Sequence, residues 1–116
     1  MKFADPRCVF NVVLRDNNPV GVLRYDWREG EQAFEVSILI AAEWQGQGIA
    51  SAALTLGRQL LPNWPIIAEV DPGNVASVSL FERAGYRRLN QHKYALPPLE
   101  AAASQDRTAA SVMGLQ

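Results

Sequence analysis

The stretch that decides the fold reads Ser37-Ile38-Leu39-Ile40-Ala41, then Ala42-Glu43-Trp44-Gln45-Gly46-Gln47-Gly48, then Ile49-Ala50. Its first five residues carry no charge and three large aliphatic side chains, which reads as a strand buried on both faces. The glycines after it make a turn. From Ile49 a helical period sets in: Ile49, Ala50, Ala53, Leu54, Gly57, Leu60 and Leu61 share one face, and Ser51, Thr55, Arg58 and Gln59 the other. Pro62 stops the helix. A glycine-rich turn from strand to helix leaves the first N–H groups of the helix without intrahelical acceptors, and the helix dipole suits that end to a phosphate. The plain alternative is a connector that binds nothing. The lysine of an ATP-type phosphate loop is absent, which argues against nucleotide hydrolysis.

Upstream, Cys8 to Leu14 is dense in Val and Phe, Asp16-Asn17-Asn18-Pro19 is a cluster of turn formers, and Val20 to Trp27 alternates imperfectly. These read as a β-hairpin. Arg28 to Glu31 is a second turn and Ala33 to Ala41 a third strand, giving an antiparallel meander that argues against a Rossmann dinucleotide domain. Downstream, Ile66 to Val70 is a short buried strand, Asp71-Pro72-Gly73-Asn74 a turn ending on a good N-cap, and Val75 to Ala84 a helix closed by Gly85. Tyr86 to Leu89 and Lys93 to Leu96 read as final strands. The order is β-β-β-α-β-α-β-β, an α+β fold (an α/β sandwich) with a mixed, mainly antiparallel sheet. Residues 1–96 read as a single domain. Residues 97–116, rich in Ala, Ser and Gln, read as a peripheral C-terminal tail.

The 116 residues suffice for one core and not two. With 11 Lys+Arg against 12 Asp+Glu, the chain is no broadly basic binder of nucleic acid or of an anionic membrane. One Cys (Cys8) excludes an internal disulfide and a multi-Cys zinc site, and one His (His92) excludes a His-rich metal site, so no metal is expected. There is no signal-peptide core at the N-terminus, and the longest apolar run, Ile38 to Ala42, is far short of the ~20 residues of a membrane span. With a lone thiol, the expected location is the cytoplasm.

Gln45-Gly46-Gln47-Gly48-Ile49-Ala50 resembles the pyrophosphate loop of the GNAT superfamily of N-acetyltransferases. That signature is Gln or Arg, two variable residues, Gly, one variable residue, then Gly or Ala; Gln45, Gly48 and Ala50 occupy those places. Asn74-Val75-Ala76-Ser77-Val78-Ser79-Leu80-Phe81-Glu82-Arg83-Ala84-Gly85-Tyr86 resembles the family's Asn-x-x-Ser/Ala, Leu-Phe/Tyr, Gly-Phe/Tyr block. The two blocks stand in the family's order, and the resemblance covers roughly residues 8 to 96. Val20 to Asp26 and Glu35 to Ile38 look like the corresponding strands of members that acetylate amino groups of nucleotide-linked sugars.

The resemblance implies an acyl-CoA N-acyltransferase-like fold and direct attack of an amine on the thioester of acetyl-CoA, the co-substrate. The cofactor would lie where the strands of Ile38–Ala41 and Ile66–Val70 splay apart. Backbone groups of Ile38, Leu39 and Ile40 would grip the pantetheine arm, with an N–H at Ile40 or its neighbour on the oxyanion. The diphosphate would take N–H bonds from Gln45, Gly46, Gln47, Gly48, Ile49, Ala50 and Ser51. Asn74 would contact the pantetheine, cap its helix, or both. Ser77 would face the cofactor sulfur or close a capping turn. Many relatives carry a Tyr four residues beyond that Ser to protonate the leaving thiolate. Phe81 stands there and has no proton to give, so a water on Ser77 would substitute or the thiolate would leave bare, with the Phe81 ring in the core or lining the sulfur. Glu35 is the first candidate for the base that deprotonates the amine, followed by Glu69 and Asp71. Arg58 reads as a solvated charge, with the adenosine phosphates as its alternative partner; His92 and Trp44 read as a turn residue and a packing residue.

The acceptor implied is a small amine, an amino sugar among them. The alternatives are a CoA-binding module without catalysis, to which Phe81 points, and an acyltransferase for a protein N-terminus or lysine. An exposed edge strand near either terminus would invite a homodimer. Family members usually carry a strand and two helices before the hairpin, and those helices wall the acceptor site. Here the hairpin begins near Cys8, so the expectation is a trimmed core with an open acceptor half, or one completed by a second subunit, another protein or the C-terminal tail.

Overall fold

The computed structural model describes residues 7–99. Strands β1 (Cys8–Arg15), β2 (Asn18–Arg28) and β3 (Ala33–Ile40) form the antiparallel meander. Helix α1 (Ile49–Arg58) leads to β4 (Ile66–Glu69), helix α2 (Val75–Arg83) follows, and β5 (Arg87–Arg88) and β6 (Lys93–Leu96) close the sheet. The strand order is β1-β2-β3-β4-β6-β5, with β3 and β4 parallel and the other pairs antiparallel. The expected order and mixed sheet are what is found. Residues 100–116, most of the expected tail, lie outside the described residues.

Local chemistry explains the punctuation. Asp16 and Asn17 both take positive φ, 52° and 68°, the two-residue turn whose twist matches a hairpin and which Asp and Asn tolerate. The Asn74 side chain accepts the Ser77 N–H at 3.1 Å and caps α2, and Gly85 at φ 93° ends it.

Both helices pack on one face of the sheet. The core joins Leu23, Tyr25, Phe34, Val36, Ile66 and Tyr94 of the strands to Ala53 and Leu54 of α1 and Phe81 of α2. Gly57 lies so close to the Tyr25 hydroxyl and Leu23 that a Cβ there would collide with both. The opposite face has no helix over it among the described residues. That corrects the reading of Ser37–Ala41 as buried on both faces: Ser37, Leu39 and Ala41 are exposed. Sequence hydrophobicity marks a strand, and only the placement of the helices says which faces are covered.

Arg58 is a second correction. Its helical phase suggested solvent, yet it is buried. Its guanidinium donates to Leu61 O at 3.3 Å, to Trp64 O at 3.1 Å and to Pro97 O. The α-helix ends there, well before Pro62. Leu60 N–H bonds to Gly57 O and Leu61 N–H to Arg58 O, a tighter winding in which the 3.6-residue phase no longer applies and Leu60 swings out. Arg58 supplies donors to the carbonyls of Trp64 and Pro97 and a second donor to that of Leu61, which also accepts the Trp64 N–H.

The Tyr25 hydroxyl is buried with no partner among the described residues, and burial, the larger cause, pushes its pKa up to about 12 against a small opposing pull from Arg58. The fold therefore favours the neutral phenol. Tyr25's contribution to stability is complete below pH ~10 and is lost as pH rises toward the folded value. Tyr25→Phe is expected to be neutral, or stabilising by about 1 kcal/mol, at pH 7. It should also flatten the loss of stability above pH ~10, read by urea unfolding at both pH values.

Candidate functional site

Register decides which backbone groups of β3 are free. Alternate residues of an antiparallel strand exchange bonds with the partner. Ala41 N–H donates to Val20 O at 2.8 Å, and Val22 stands opposite Leu39, so the odd-numbered residues of β3 turn their backbone groups toward β2. The even-numbered ones turn toward β4, as Phe34 does in donating to Pro65 O at 3.0 Å. β3 and β4, however, pair only at Phe34↔Ile66 and Glu35↔Ile67. Beyond that, Val70 N–H goes to His92 O at 2.7 Å, on the β6 side, and the two strands part. The N–H and C=O of Ile38 and the N–H of Ile40 thus face a gap with no strand across it. The Ile40 carbonyl is taken by the side-chain amide of Gln45 at 2.8 Å.

The gap widens into a cleft of about 770 Å³. At its head the chain passes a 3₁₀ turn at Ala42–Trp44 and two glycines in the left-handed region, Gly46 at φ 78° and Gly48 at φ 81°. Gly48 is the N-cap of α1 and offers no side chain to cap it. The first helical bond runs from Ala52 N–H to Gly48 O at 3.1 Å, so the N–H groups of Ile49, Ala50 and Ser51 have no acceptor within the helix. The opposite wall comes from α2, with Asn74, Ser77, Leu80 and Arg83 at three-residue spacing. Among the described residues, Arg83 is the charged residue of the lining, and no Asp or Glu lines it.

The chemistry of this lining suits the parts of an acyl-CoA. Free amide groups on a strand suit the amides of a pantetheine arm. Uncapped helical N–H groups suit a diphosphate, and Arg83 on the opposite wall adds positive charge to the cleft. The volume is that of a site for a small organic molecule. The sequence profile of the acetyltransferase (GNAT) family matches residues 1–86. The chain belongs to that family.

The activity class of the family is N-acetyl transfer from acetyl-CoA. Solved structures share the fold of this GNAT domain. The spermidine N-acetyltransferase of Vibrio cholerae, in complex with CoA and spermine, superimposes with a TM-score of 0.66 at 20% identity, over 79% of this chain and 66% of its own. The ribosomal alpha-N-protein acetyltransferase RimL, in complex with coenzyme A, gives 0.68 at 19% identity, over 83% and 65%. The Microcin C7 self-immunity acetyltransferase, in complex with acetyl-CoA and AMP, gives 0.69 at 14% identity, over 81% and 63%. The chain spans about two thirds of the length of these proteins, and at such identities the likeness is one of fold. No curated protein sequence matches it.

Of the residues singled out from the sequence, Ile38, Leu39, Ile40, Gln45, Gly46, Gly48, Ile49, Ala50, Ser51, Asn74 and Ser77 of the GNAT domain line the cleft. Several of the expected roles shift. Leu39 turns its backbone to β2 and its side chain outward, so the free groups are those of Ile38 and Ile40. Gln45 has spent its N–H on Ala42 O and its side chain on Ile40 O; it shapes the loop rather than offering donors to a phosphate. Gln47 is exposed outside the lining, because glycines before and after it in the left-handed region turn that peptide away. Phe81 is buried on the far side of α2, edge-on to Tyr86 at 5.0 Å, and does not line the cleft. Trp44 both packs against the Val20–Ile40–Ile49 cluster and borders the opening.

Glu35 is not brought to the cleft either. It lies where β3 and β4 are still paired and its carboxylate accepts from Arg28 Nε at 2.7 Å. Glu31 is held likewise by Lys93 at 2.6 Å, and the Asp71 carboxylate accepts from Gly73 N–H at 2.9 Å. Glu69 is exposed at the end of β4 and forms no ion pair among the described residues. Continuing the parallel register places it across the gap from Ser37, on the sheet face away from the helices. Sequence reading passed over Arg83. Its spacing gave no signal: steps of three from Asn74 drift round the helix, and only the folded structure shows that Arg83 borders the cleft.

Proposed function

We propose that this chain acetylates the amine of a small cationic molecule, an amino sugar among the candidates, with the acceptor entering through the gap between β3 and β4 from the helix-free face. The observation that carries the reading is the parting of the two strands, which leaves Ile38 and Ile40 with free backbone groups beside an uncapped helix. Acetyl-CoA supplies the acyl group as a thioester whose carbonyl oxygen gains negative charge as an amine attacks. The Ile40 N–H, fixed by the β2 ladder on one side and by Gln45 on its own carbonyl, donates to that oxygen. Ile38 holds the pantetheine amides. The N–H groups of Ile49, Ala50 and Ser51, with Arg83, hold the diphosphate. Ser77 is half-buried in the lining, and its hydroxyl, or a water on it, hydrogen-bonds the leaving thiolate in place of the absent Tyr. Glu69, exposed at the end of β4 with Lys93 as its cross-strand neighbour, takes the proton of the incoming ammonium.

Calorimetry with acetyl-CoA, then a thiol-release assay over amines, amino sugars and peptides, tests the reading. Micromolar binding is expected, weakened more than tenfold in Gly48→Val, since a β-branched residue at positive φ cannot keep the loop. No binding at millimolar acetyl-CoA sinks it. Binding without thiol release for any amine favours the non-catalytic module, which Phe81 and the absence of a carboxylate from the lining support. Release with peptides alone favours a protein acetyltransferase.

A further inference from the structure

The sheet face away from the helices carries a continuous apolar patch. Val12, Val22 and Leu39 form one transverse row across β1, β2 and β3. Phe10 stands beside Val12 along β1, and Leu14 follows just past the bulge at Val13/Leu14. Phe10 is 59% exposed, Val12 53%, Leu14 57% and Leu39 66%. These four alone open roughly 400 Å² of apolar surface, at a level that on a monomer usually marks a binding site. We infer that this face is covered by the same face of a second copy of the chain.

Three observations select a second copy. The next rows along the strands carry both signs, Arg24 with Asp26 and Arg28 with Glu35, so two copies brought face to face meet balanced charge. The patch runs to the sheet edge at β1, and with Arg24, Ser37 and Cys8 around it approaches the ~800 Å² per partner of a standard interface. The chain's own C-terminal segment starts from the wrong side: Pro97 is held by Arg58, in the helical layer. Sheet-on-sheet packing of this kind is a common way to bury such a face.

Leu39 also lines the cleft, so the second copy stands at its outer mouth and walls the acceptor side. That consequence rests on the acetyl-transfer reading; the dimer itself does not.

Sedimentation of the full chain across a concentration series is the test. A species of twice the 12.8 kDa chain mass is expected at micromolar concentration, with Phe10→Lys and Val12→Lys monomeric and unchanged in circular dichroism. A wild type that stays monomeric at 100-fold higher concentration overturns the inference, as does a dimer that both variants leave intact. If the variants misfold, Cys8, exposed on the same face of β1, reports on the wild type. Its alkylation should slow several-fold as the dimer fills, and a concentration-independent rate overturns the inference. In monomeric Val12→Lys the KM for an amine should rise about tenfold with acetyl-CoA affinity unchanged. An unchanged KM removes the second copy from the acceptor site. No turnover in the wild type removes the acetyl-transfer reading and leaves sedimentation to decide the dimer.

Discussion

Glu69→Gln is expected to lower kcat for the best amine about a hundredfold, the lower end of what a positioned general base contributes. Acetyl-CoA affinity should be unchanged, because the carboxylate lies outside the cofactor cleft. Glu35→Gln should leave kcat within a factor of a few. Its carboxylate is engaged with Arg28 at the paired end of β3, and the loss of an exposed pair of this kind costs at most about 1 kcal/mol of stability. The comparison separates two carboxylates that look alike in sequence. The discriminating readout is the pH profile of kcat. Glu69→Gln should recover activity as pH rises, since a free amine then no longer needs a base, whereas a merely structural loss would persist at every pH. A wild-type kcat in Glu69→Gln with a collapse in Glu35→Gln would return the base to Glu35 and refute the register argument.

Arg58→Met is expected to carry the largest stability loss. The substitution keeps the aliphatic stem and removes the guanidinium, leaving the carbonyls of Trp64 and Pro97 without their donor and that of Leu61 with the Trp64 N–H alone. At about 1 kcal/mol for each lost bond the cost is about 3 kcal/mol, a fall in Tm on the order of 15 °C for a domain of this size. Relief of a buried charge offsets part of it, since burial already pulls the Arg58 pKa below its usual value. Arg58→Lys should recover only a fraction, because an ammonium cannot span three carbonyls as a planar fork does. Thermal unfolding followed by circular dichroism checks both. An Arg58→Met chain that melts with the wild type would mean that the loop from Leu61 to Trp64 finds other donors.

The meander, the two helices and their caps were legible because each depends on neighbours in sequence. Asn74 caps because Ser77 is three residues on, and Gly85 ends α2 because only a left-handed residue fits there. The loop was legible for the same reason, since Gly46 and Gly48 hold positive φ. Arg58 and Phe81 were harder. Helical phase assigns a residue to a face of its own helix, but what covers that face belongs to another element. Arg58 found its partners beyond the helix end, and Phe81 turned to Tyr86 rather than to the cleft. The outward side of Leu39 was illegible, since an apolar strand residue looks the same whether a helix lies over it or not.

What the sequence determined by itself is the order of the elements, the glycine-rich loop and the family's two motifs, all of which rest on interactions spanning a few residues. What only the tertiary structure decided is where the strands part and which groups that parting exposes. β3 and β4 come from segments separated by a helix, and they pair over two residues only, while β4 stays paired with β6 along its whole length. That divergence of two strands distant in sequence leaves the β4-facing groups of Ile38 and Ile40 free. Neither Glu35 nor Glu69 lines the cleft; Glu35 sits where the two strands are paired, and Glu69 just beyond that pairing at the end of β4.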